Sequence, residues 1–229
     1  MHHPDHDAPP FNPVPAIVLV PALAILAVEV AVQAGASGFV GGPAAIGWRL
    51  SLVQSFGFFD AMWEQKLATG YTGQGALRRP VTYVFFHFSF VDALFAAVIL
   101  LAIGNRVARV FSAFAIGVVF LASAAVGAAV FGLVRDTDQP LVGAWPVVYA
   151  FVGLLTWTLW ITARRTGDDP AVAFQLVGML VALQLFFWVA FGASTNLAAD
   201  LSGFLTAFLL APVLVPGGIG HVRQLLRAR

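Results

Sequence analysis

The 229-residue sequence contains no cysteine. Disulfide bonds, thiolate catalysis and cysteine-ligated metal centres are therefore excluded, and the cellular compartment cannot be inferred from redox chemistry. Charged residues are also scarce, at 10% of the chain compared with about 25% in an average soluble domain. Because 12 basic residues balance 11 acidic ones and form no basic block, the chain lacks the electrostatic footprint of a nucleic-acid-binding protein.

Hydrophobic residues instead make up 60% of the sequence, and the mean hydropathy is +0.88. These values exclude a soluble globular protein and indicate one embedded in the lipid bilayer. A helix needs about 20 apolar residues to cross a bilayer. The sequence therefore predicts an all-α polytopic membrane protein with six transmembrane spans: Val14–Gln33, Val81–Gly104, Ala108–Val134, Pro146–Thr162, Ala171–Ala190 and Leu197–Val215.

The basic residues at the ends of these spans predict the orientation, because cytoplasmic loops are enriched in Lys and Arg. We expect residues 1–13 to form a disordered tail, residues 14–216 the membrane domain and residues 217–229 a basic cytoplasmic tail. Both termini are predicted to be cytoplasmic, in a bacterial inner membrane. This orientation places Arg106, Arg109, Arg164, Arg165, Arg223, Arg227 and Arg229 inside, and Arg49, Lys66, Arg78, Arg79 and Arg135 outside.

Residues 34–80 form a long external connection that is not a polar linker. Its segment Gly47–Lys66 (GWRLSLVQSFGFFDAMWEQK) mixes aromatic and aliphatic residues with a few charges. This composition is typical of helices that lie in the headgroup region, with Trp48–Arg49 and Trp63–Lys66 as anchors. The alternative, a soluble subdomain of about 45 residues, is weaker because so small a unit buries little core.

Four ionisable residues lie within the predicted spans, where an ionised group is costly and therefore a functional candidate. Glu29 is near the external end of its helix, where we expect it to reach water. Asp200 lies beside Asn196 near the start of the sixth span and could act as its N-cap. Asp92 is about halfway along the second span, and His87 lies five residues before it on a different helical face.

Small residues four apart occur in the third and sixth spans, and this spacing lets helices approach closely in lipid. They predict a compact bundle rather than any chemistry. The pairs are Ser123 with Gly127, Ala128 with Gly132, and Gly203 with Ala207.

Several segments, together with the six spans and the long first loop, resemble the rhomboid intramembrane serine proteases. Trp48-Arg49 resembles the Trp-Arg pair of the family's first loop. Phe85–Ala96 (FFHFSFVDALFA) resembles the second helix, H-x-x-x-x-H-x-x-x-N in outline. Pro140–Gly153 (PLVGAWPVVYAFVG) resembles the loop and fourth helix with the G-x-S-G nucleophile motif, and Ala199–Leu210 (ADLSGFLTAFLL) is similar to the sixth-helix pattern A-H-x-x-G-x-x-x-G. The resemblance covers residues 14–216 and implies a rhomboid-like fold.

The chain departs from the family at the residues that carry its chemistry. In active members the motif serine is activated by a sixth-helix histidine, and second-helix His and Asn side chains help to stabilise the oxyanion. The corresponding residues here are Trp145, Asp200, Asp92 and Ala96. Because tryptophan has no nucleophilic atom, the serine mechanism is excluded, and no catalytic residue is expected. The family scaffold is retained at His87, Gly143, Tyr149, Gly153 and Gly203.

The residues at the substituted positions suit a helix start and a hydrogen-bonded interior. Pro146 stands at the second glycine of the motif and suits the first turn of a helix. Trp145 and Tyr149 are four residues apart and share a helical face. Asp92 or Asp200 could accept hydrogen bonds from their side chains. We therefore predict a filled, hydrogen-bonded cavity where the active site would be.

The leading prediction is a proteolytically inactive rhomboid-like protein that binds or scaffolds transmembrane segments of other proteins. By resemblance, inactive relatives bind client helices through a lateral opening, which points to the second and fifth spans and to Phe186, Phe187 and Trp188. One alternative is an intramembrane peptidase in which Asp92 and Asp200 share a proton and activate water. Another is an accessory subunit of a membrane complex. The predicted partners are transmembrane segments and the lipid bilayer, with no cofactor or metal.

Overall fold

The structure is a computed structural model that describes residues 14–70, 75, 77–134, 139–191 and 196–218. The predicted N-terminal tail and most of the C-terminal tail lie outside the described residues, as do Arg135 and the side chains of Lys66 and Phe187. Within the described residues the regular structure is helical. The helices are α1 (Ala16–Ala36), α2 (Trp48–Phe56), α3 (Asp60–Thr69), α4 (Arg79–Thr82), α5 (Phe90–Val107), α6 (Ala113–Val134), α7 (Trp145–Thr166), α8 (Gln175–Phe191) and α9 (Leu197–Leu214).

Six of these helices are long and apolar enough to cross a membrane: α1, α5, α6, α7, α8 with the 3₁₀ turn before it, and α9. The predicted all-α architecture with six spans is confirmed. The predicted helical segments of the long first connection are also confirmed as α2 and α3. A single isolated β-bridge in the described chain joins Phe58 to Leu141 and ties this connection to the segment before α7.

Two predicted span boundaries are wrong, and both errors have the same cause. The second span begins at Phe90 rather than Val81, because Ser89 caps the helix by accepting the Asp92 amide hydrogen at 3.2 Å. The third span begins at Ala113 rather than Ala108, since the Ser112 hydroxyl accepts from the Ala115 amide at 3.2 Å. In each case an apolar run continues across a helix start that a serine determines. His87 therefore lies outside α5, in a non-helical segment.

Two residues of the predicted interfacial anchors also contact the helical bundle. The guanidinium of Arg49 pairs with Glu29 on α1. Trp63 packs on α6, where an added Cβ at Gly132 would lie 2.8 Å from its indole ring. The aromatic residues of this connection therefore also attach it to the helical bundle.

Helix α7 is the centre of the bundle and packs against α5, α6 and α9. Residues 146–154 of α7 are all buried. Close approach to α9 requires glycine: a Cβ on Gly203 would lie 2.0 Å from the Pro146 carbonyl oxygen, and one on Gly153 would lie 2.5 Å from the Phe204 carbonyl oxygen. On the other side, Gly127 of α6 faces the Pro146 ring. The close helix packing predicted from the small-residue pairs is thus observed, as expected where dispersion rather than water exclusion joins helices.

Helix α8 is the most peripheral of the six spanning helices. Only 12% of its most apolar window is buried, compared with 56% for α7. Its main contacts are with α7 and with the 3₁₀ turn Pro170–Phe174 that precedes it. Large apolar side chains point away from the bundle, including Met179, Leu183, Phe186, Trp188 and Val189.

Candidate functional site

The segment around His87 is joined to the loop that precedes α7. The Nε2 atom of His87 accepts a hydrogen bond from the Ala144 amide at 3.2 Å. The Gly143 amide donates to the Tyr83 carbonyl at 3.1 Å. Gly143 has a φ of +101°, a conformation that L side chains rarely adopt. These retained positions fix the backbone on which Trp145 begins α7.

Trp145 occupies the site where the resemblance predicts a nucleophile. Its indole Nε1 donates to Oδ1 of Asp92 at 2.7 Å. Of the two acceptors predicted for the Trp145 side chain, Asp92 and Asp200, the indole therefore uses Asp92. The bond links the first turns of α5 and α7. Pro146 lies in the first turn of α7, as predicted.

The predicted depth of Asp92 is wrong. Asp92 is in the first turn of α5 and half-buried, rather than halfway along a span. An acidic residue is favourable at this end of a helix, because the unpaired amide groups carry partial positive charge there. Ala96, at the position of the family's asparagine, is fully buried and offers no polar group. No oxyanion donors are therefore supplied by these two positions.

Asp200 is not the N-cap of its helix, which was one expectation from the sequence. The N-cap residue of α9 is Asn196, and Asp200 lies one turn inside the helix, where it is 2% exposed. Its Oδ2 atom accepts a hydrogen bond from Gln184 Nε2 of α8 at 2.8 Å. Asp200 therefore links the peripheral helix α8 to α9.

Tyr149 does not make the hydrogen bond that the sequence suggested. Its hydroxyl is buried and has no partner within the described residues. The same holds for Oδ1 of Asp200 and Oε1 of Gln184. The candidate site thus contains a hydrogen-bonded pair, Trp145 with Asp92, and three buried oxygen atoms without a partner within the described residues.

Glu29 does not reach water, contrary to expectation. It is 2% exposed and forms an ion pair with Arg49, which also donates to the His87 carbonyl at 2.7 Å. This contact was missed because nothing in the local spacing of the two residues signals it. Arg49 belongs to the Trp-Arg pair on which the resemblance rests. Here its guanidinium connects α2 to Glu29 of α1 and to the His87 carbonyl.

The chemistry of the site follows from these partners. Serine-type attack needs a hydroxyl or thiol within hydrogen-bond reach of a base. Ser202, close in sequence to Asp200, donates its hydroxyl hydrogen to the Ala199 carbonyl at 2.7 Å. Asp92 and Asp200 lie within electrostatic range of each other, yet each is bonded to a different side chain. Within the described residues no group of three His, Cys, Asp or Glu side chains could hold a metal ion.

Comparison with known proteins gives two findings. The sequence is 32% identical over 105 residues to the phospho-N-acetylmuramoyl-pentapeptide-transferase of Pelotomaculum thermopropionicum. That alignment covers 45% of this chain and 29% of the transferase, so the chain spans less than a third of that relative's length.

A sequence profile of the Rhomboid domain matches residues 74–217. The matched range includes His87, Asp92, Trp145 and Asp200, and it omits α1 and the Trp48-Arg49 pair. The match extends over more than half of the chain and agrees with the six-helix architecture. The chain belongs to the rhomboid family.

Proposed function

We propose that this rhomboid-family membrane protein is a proteolytically inactive member that binds transmembrane segments of other proteins. The observation that carries the proposal is the bond from Trp145 Nε1 to Asp92 Oδ1 at 2.7 Å. By the resemblance, Trp145 stands for the motif serine and Asp92 for the oxyanion histidine, so the bond joins a side chain without a nucleophilic atom to the carboxylate beside it. What supports a binding role is the exposed apolar face of α8, only 12% of whose most apolar window is buried.

The proposed client-contacting surface is the exposed face of α8 together with that of α5, the two helices to which the resemblance to inactive relatives points. Phe186 and Trp188 of α8 are 58% and 55% exposed, and Val91 and Phe95 of α5 are similarly exposed. In lipid such faces are satisfied by acyl chains or by another helix. We also propose that both termini are cytoplasmic and that the membrane is a bacterial inner membrane, as the distribution of arginines predicts.

The proposed absence of proteolysis is tested by incubating the purified protein in proteoliposomes with a panel of transmembrane substrates. The products are identified by mass spectrometry. We expect no cleavage by the natural sequence or by the double variant D92N/D200N. Cleavage that the double variant loses would instead establish the alternative carboxylate peptidase. Cleavage that persists in the double variant would place an active site elsewhere in the chain.

The binding part is tested by photo-crosslinking in native membranes. Crosslinkers are placed at Met179, Leu183 and Val189 of α8, with Val20 of α1 as the matched control because it is also exposed. Transmembrane proteins captured from α8 and not from Val20 are the expected result. Capture of lipid alone from every α8 position would contradict client binding, and one partner recovered in stoichiometric amount would favour the accessory-subunit alternative.

A further inference from the structure

Three buried oxygen atoms near the contact of α7, α8 and α9 have no hydrogen-bond partner within the described residues. They are the Tyr149 hydroxyl oxygen, Gln184 Oε1 and Asp200 Oδ1. Gln184 and Asp200 are directly bonded through their other polar atoms, at 2.8 Å, and the Tyr149 hydroxyl is buried on α7, which packs against both α8 and α9. Buried polar atoms are rarely left unpaired, because the lost hydration is not recovered. Within the part of the chain that the structure describes, no residue supplies the partner of this polar cluster, Tyr149–Gln184–Asp200.

The type of atom that is unpaired shows that the missing partner is a hydrogen-bond donor. A carboxylate oxygen and an amide carbonyl oxygen can only accept hydrogen bonds, and a tyrosine hydroxyl can accept one as well. A lysine ammonium group has three donors and no acceptor, and its charge complements Asp200. An apolar side chain would leave all three oxygens unpaired, and a carboxylate would add repulsion.

The location of the cluster defines what can bring such a group. Gln184 lies seven residues before Phe191, the last residue of α8, which corresponds to about 10 Å along the helix. Because α8 is long and apolar enough to cross a membrane, a cation that approaches the cluster past α8 is best carried by a transmembrane segment. Lysine is costly in a lipid-facing position, so a segment that contains one gains by pairing with a carboxylate.

The cluster is closed by the least buried of the spanning helices. Gln184 belongs to α8, and only 12% of the most apolar window of this helix is buried. The Nε2 atom of Gln184 donates the hydrogen bond that Oδ2 of Asp200 accepts. If a client helix displaced α8, this donor would leave Asp200 and the carboxylate would face the proposed client surface. Gln184 thus holds Asp200 in the absence of a client and competes with the client's own donor.

We infer that the polar cluster is a recognition site for a lysine side chain of a client transmembrane helix, about seven residues from the client end on the Phe191 side. The inference rests on the proposed function, because it specifies the client. Asp200 supplies the charge, the Tyr149 hydroxyl supplies a further acceptor, and α8 provides access by carrying Gln184 away from Asp200 Oδ2.

The test measures binding of synthetic host helices to the full chain in proteoliposomes by energy transfer. The host helices carry Lys, Leu or Glu seven residues from the relevant end. Because the chain has no cysteine, a Val189→Cys substitution gives one labelling site on the exposed face of α8. We expect the natural cluster to bind the Lys helix at least fivefold more tightly than the Leu helix, and the Glu helix most weakly.

Asp200→Asn keeps the shape of the side chain and removes its charge. It should make the Lys and Leu helices bind equally. Asp168→Asn is the matched control, since it removes the same charge from an exposed residue after α7, and it should preserve the preference. A folded Asp200→Asn protein that still prefers the Lys helix would overturn the inference.

A second variant keeps the test decisive if Asp200→Asn does not fold. Gln184→Leu leaves Asp200 in place and removes its competing donor, so it should bind the Lys helix about threefold more tightly than the natural chain. Unchanged or weaker binding would count against the site. Equal binding of Lys and Leu helices by the natural chain would overturn the lysine site and leave client binding standing, whereas no binding of any helix would count against the proposed function itself.

Discussion

Arg49 places its guanidinium against both carboxylate oxygens of Glu29, with Nη1 3.0 Å from Oε2 and Nη2 2.5 Å from Oε1. The same Nη1 donates to the carbonyl of His87. Bidentate charge-assisted bonds of this kind are among the strongest polar contacts in proteins. They join α1 and α2 to the segment that supports the loop before Trp145, so the first helix and the long connection are attached to the candidate site.

Glu29→Gln is expected to lower the free energy of unfolding. Removing one partner of a fully buried ion pair costs about 3–5 kcal/mol. The Arg49 side chain is 27% exposed and can recover some hydration, so we expect a loss of about 2 kcal/mol. The measurement is denaturation of the purified protein by SDS, with Asp168→Asn as the charge-matched control. Equal stability of the two variants would show that the pair contributes nothing.

Gly203→Ala is expected to separate α7 from α9. The added Cβ would lie 2.0 Å from the Pro146 carbonyl oxygen, so the backbones have to move apart, and overpacking of this kind costs about 1–3 kcal/mol. Gly178→Ala is the control, because an added Cβ there meets no atom within 4 Å and alanine favours the helix. Thermal unfolding should show a lower midpoint for Gly203→Ala alone. A similar midpoint for both variants would contradict the observed packing.

Trp145→Phe keeps an aromatic ring and removes the hydrogen-bond donor to Asp92. Hydrogen bonds to charged groups contribute about 1.5–3 kcal/mol. Because Asp92 is only half-buried, we expect a loss of about 1 kcal/mol. Asp92→Asn should cost less, since its amide oxygen can still accept. Trp188→Phe, on the exposed face of α8, is the reference, and a Trp145→Phe protein as stable as this reference would argue against the bond.

The six spans were predictable because lipid imposes a composition that can be recognised along the chain without knowledge of the fold. The start of α5 was also predictable in principle. Ser89 followed three residues later by Asp92 is a capping pattern, but the apolar run across it concealed the boundary. The error mattered, because it placed Asp92 in the middle of a helix and His87 on its face.

The polar pairs of the site could not be predicted in the same way. Glu29 and Arg49 are 20 residues apart, and Gln184 and Asp200 are 16 residues apart, with a connection between the partners in each case. Which side chains meet is decided by the path of that connection and by helix packing, not by local periodicity. Trp145 and Asp92 are 53 residues apart, and the sequence proposed their contact only through the family resemblance.

His87 is expected to make stability depend on pH in a defined direction. Burial lowers the pKa of His87 below its ordinary value near 6.5, and protonation would remove the acceptor that Nε2 offers to the Ala144 amide. As pH falls below about 6.5, the unfolded chain therefore binds a proton that the folded protein does not, and stability decreases.

This dependence is isolated by comparing the natural chain with His87→Gln, because the carboxylates are common to both. Between pH 6.5 and 5.5 the natural chain should lose stability relative to His87→Gln. The loss in its free energy of unfolding should be up to about 1.4 kcal/mol per pH unit. Between pH 7.5 and 8.5 the difference should be constant, since histidine is neutral in both states there. Parallel curves down to pH 5.5 would mean that the folded protein admits the proton as readily as the unfolded chain, and hence that the Ala144 amide does not hold the ring neutral.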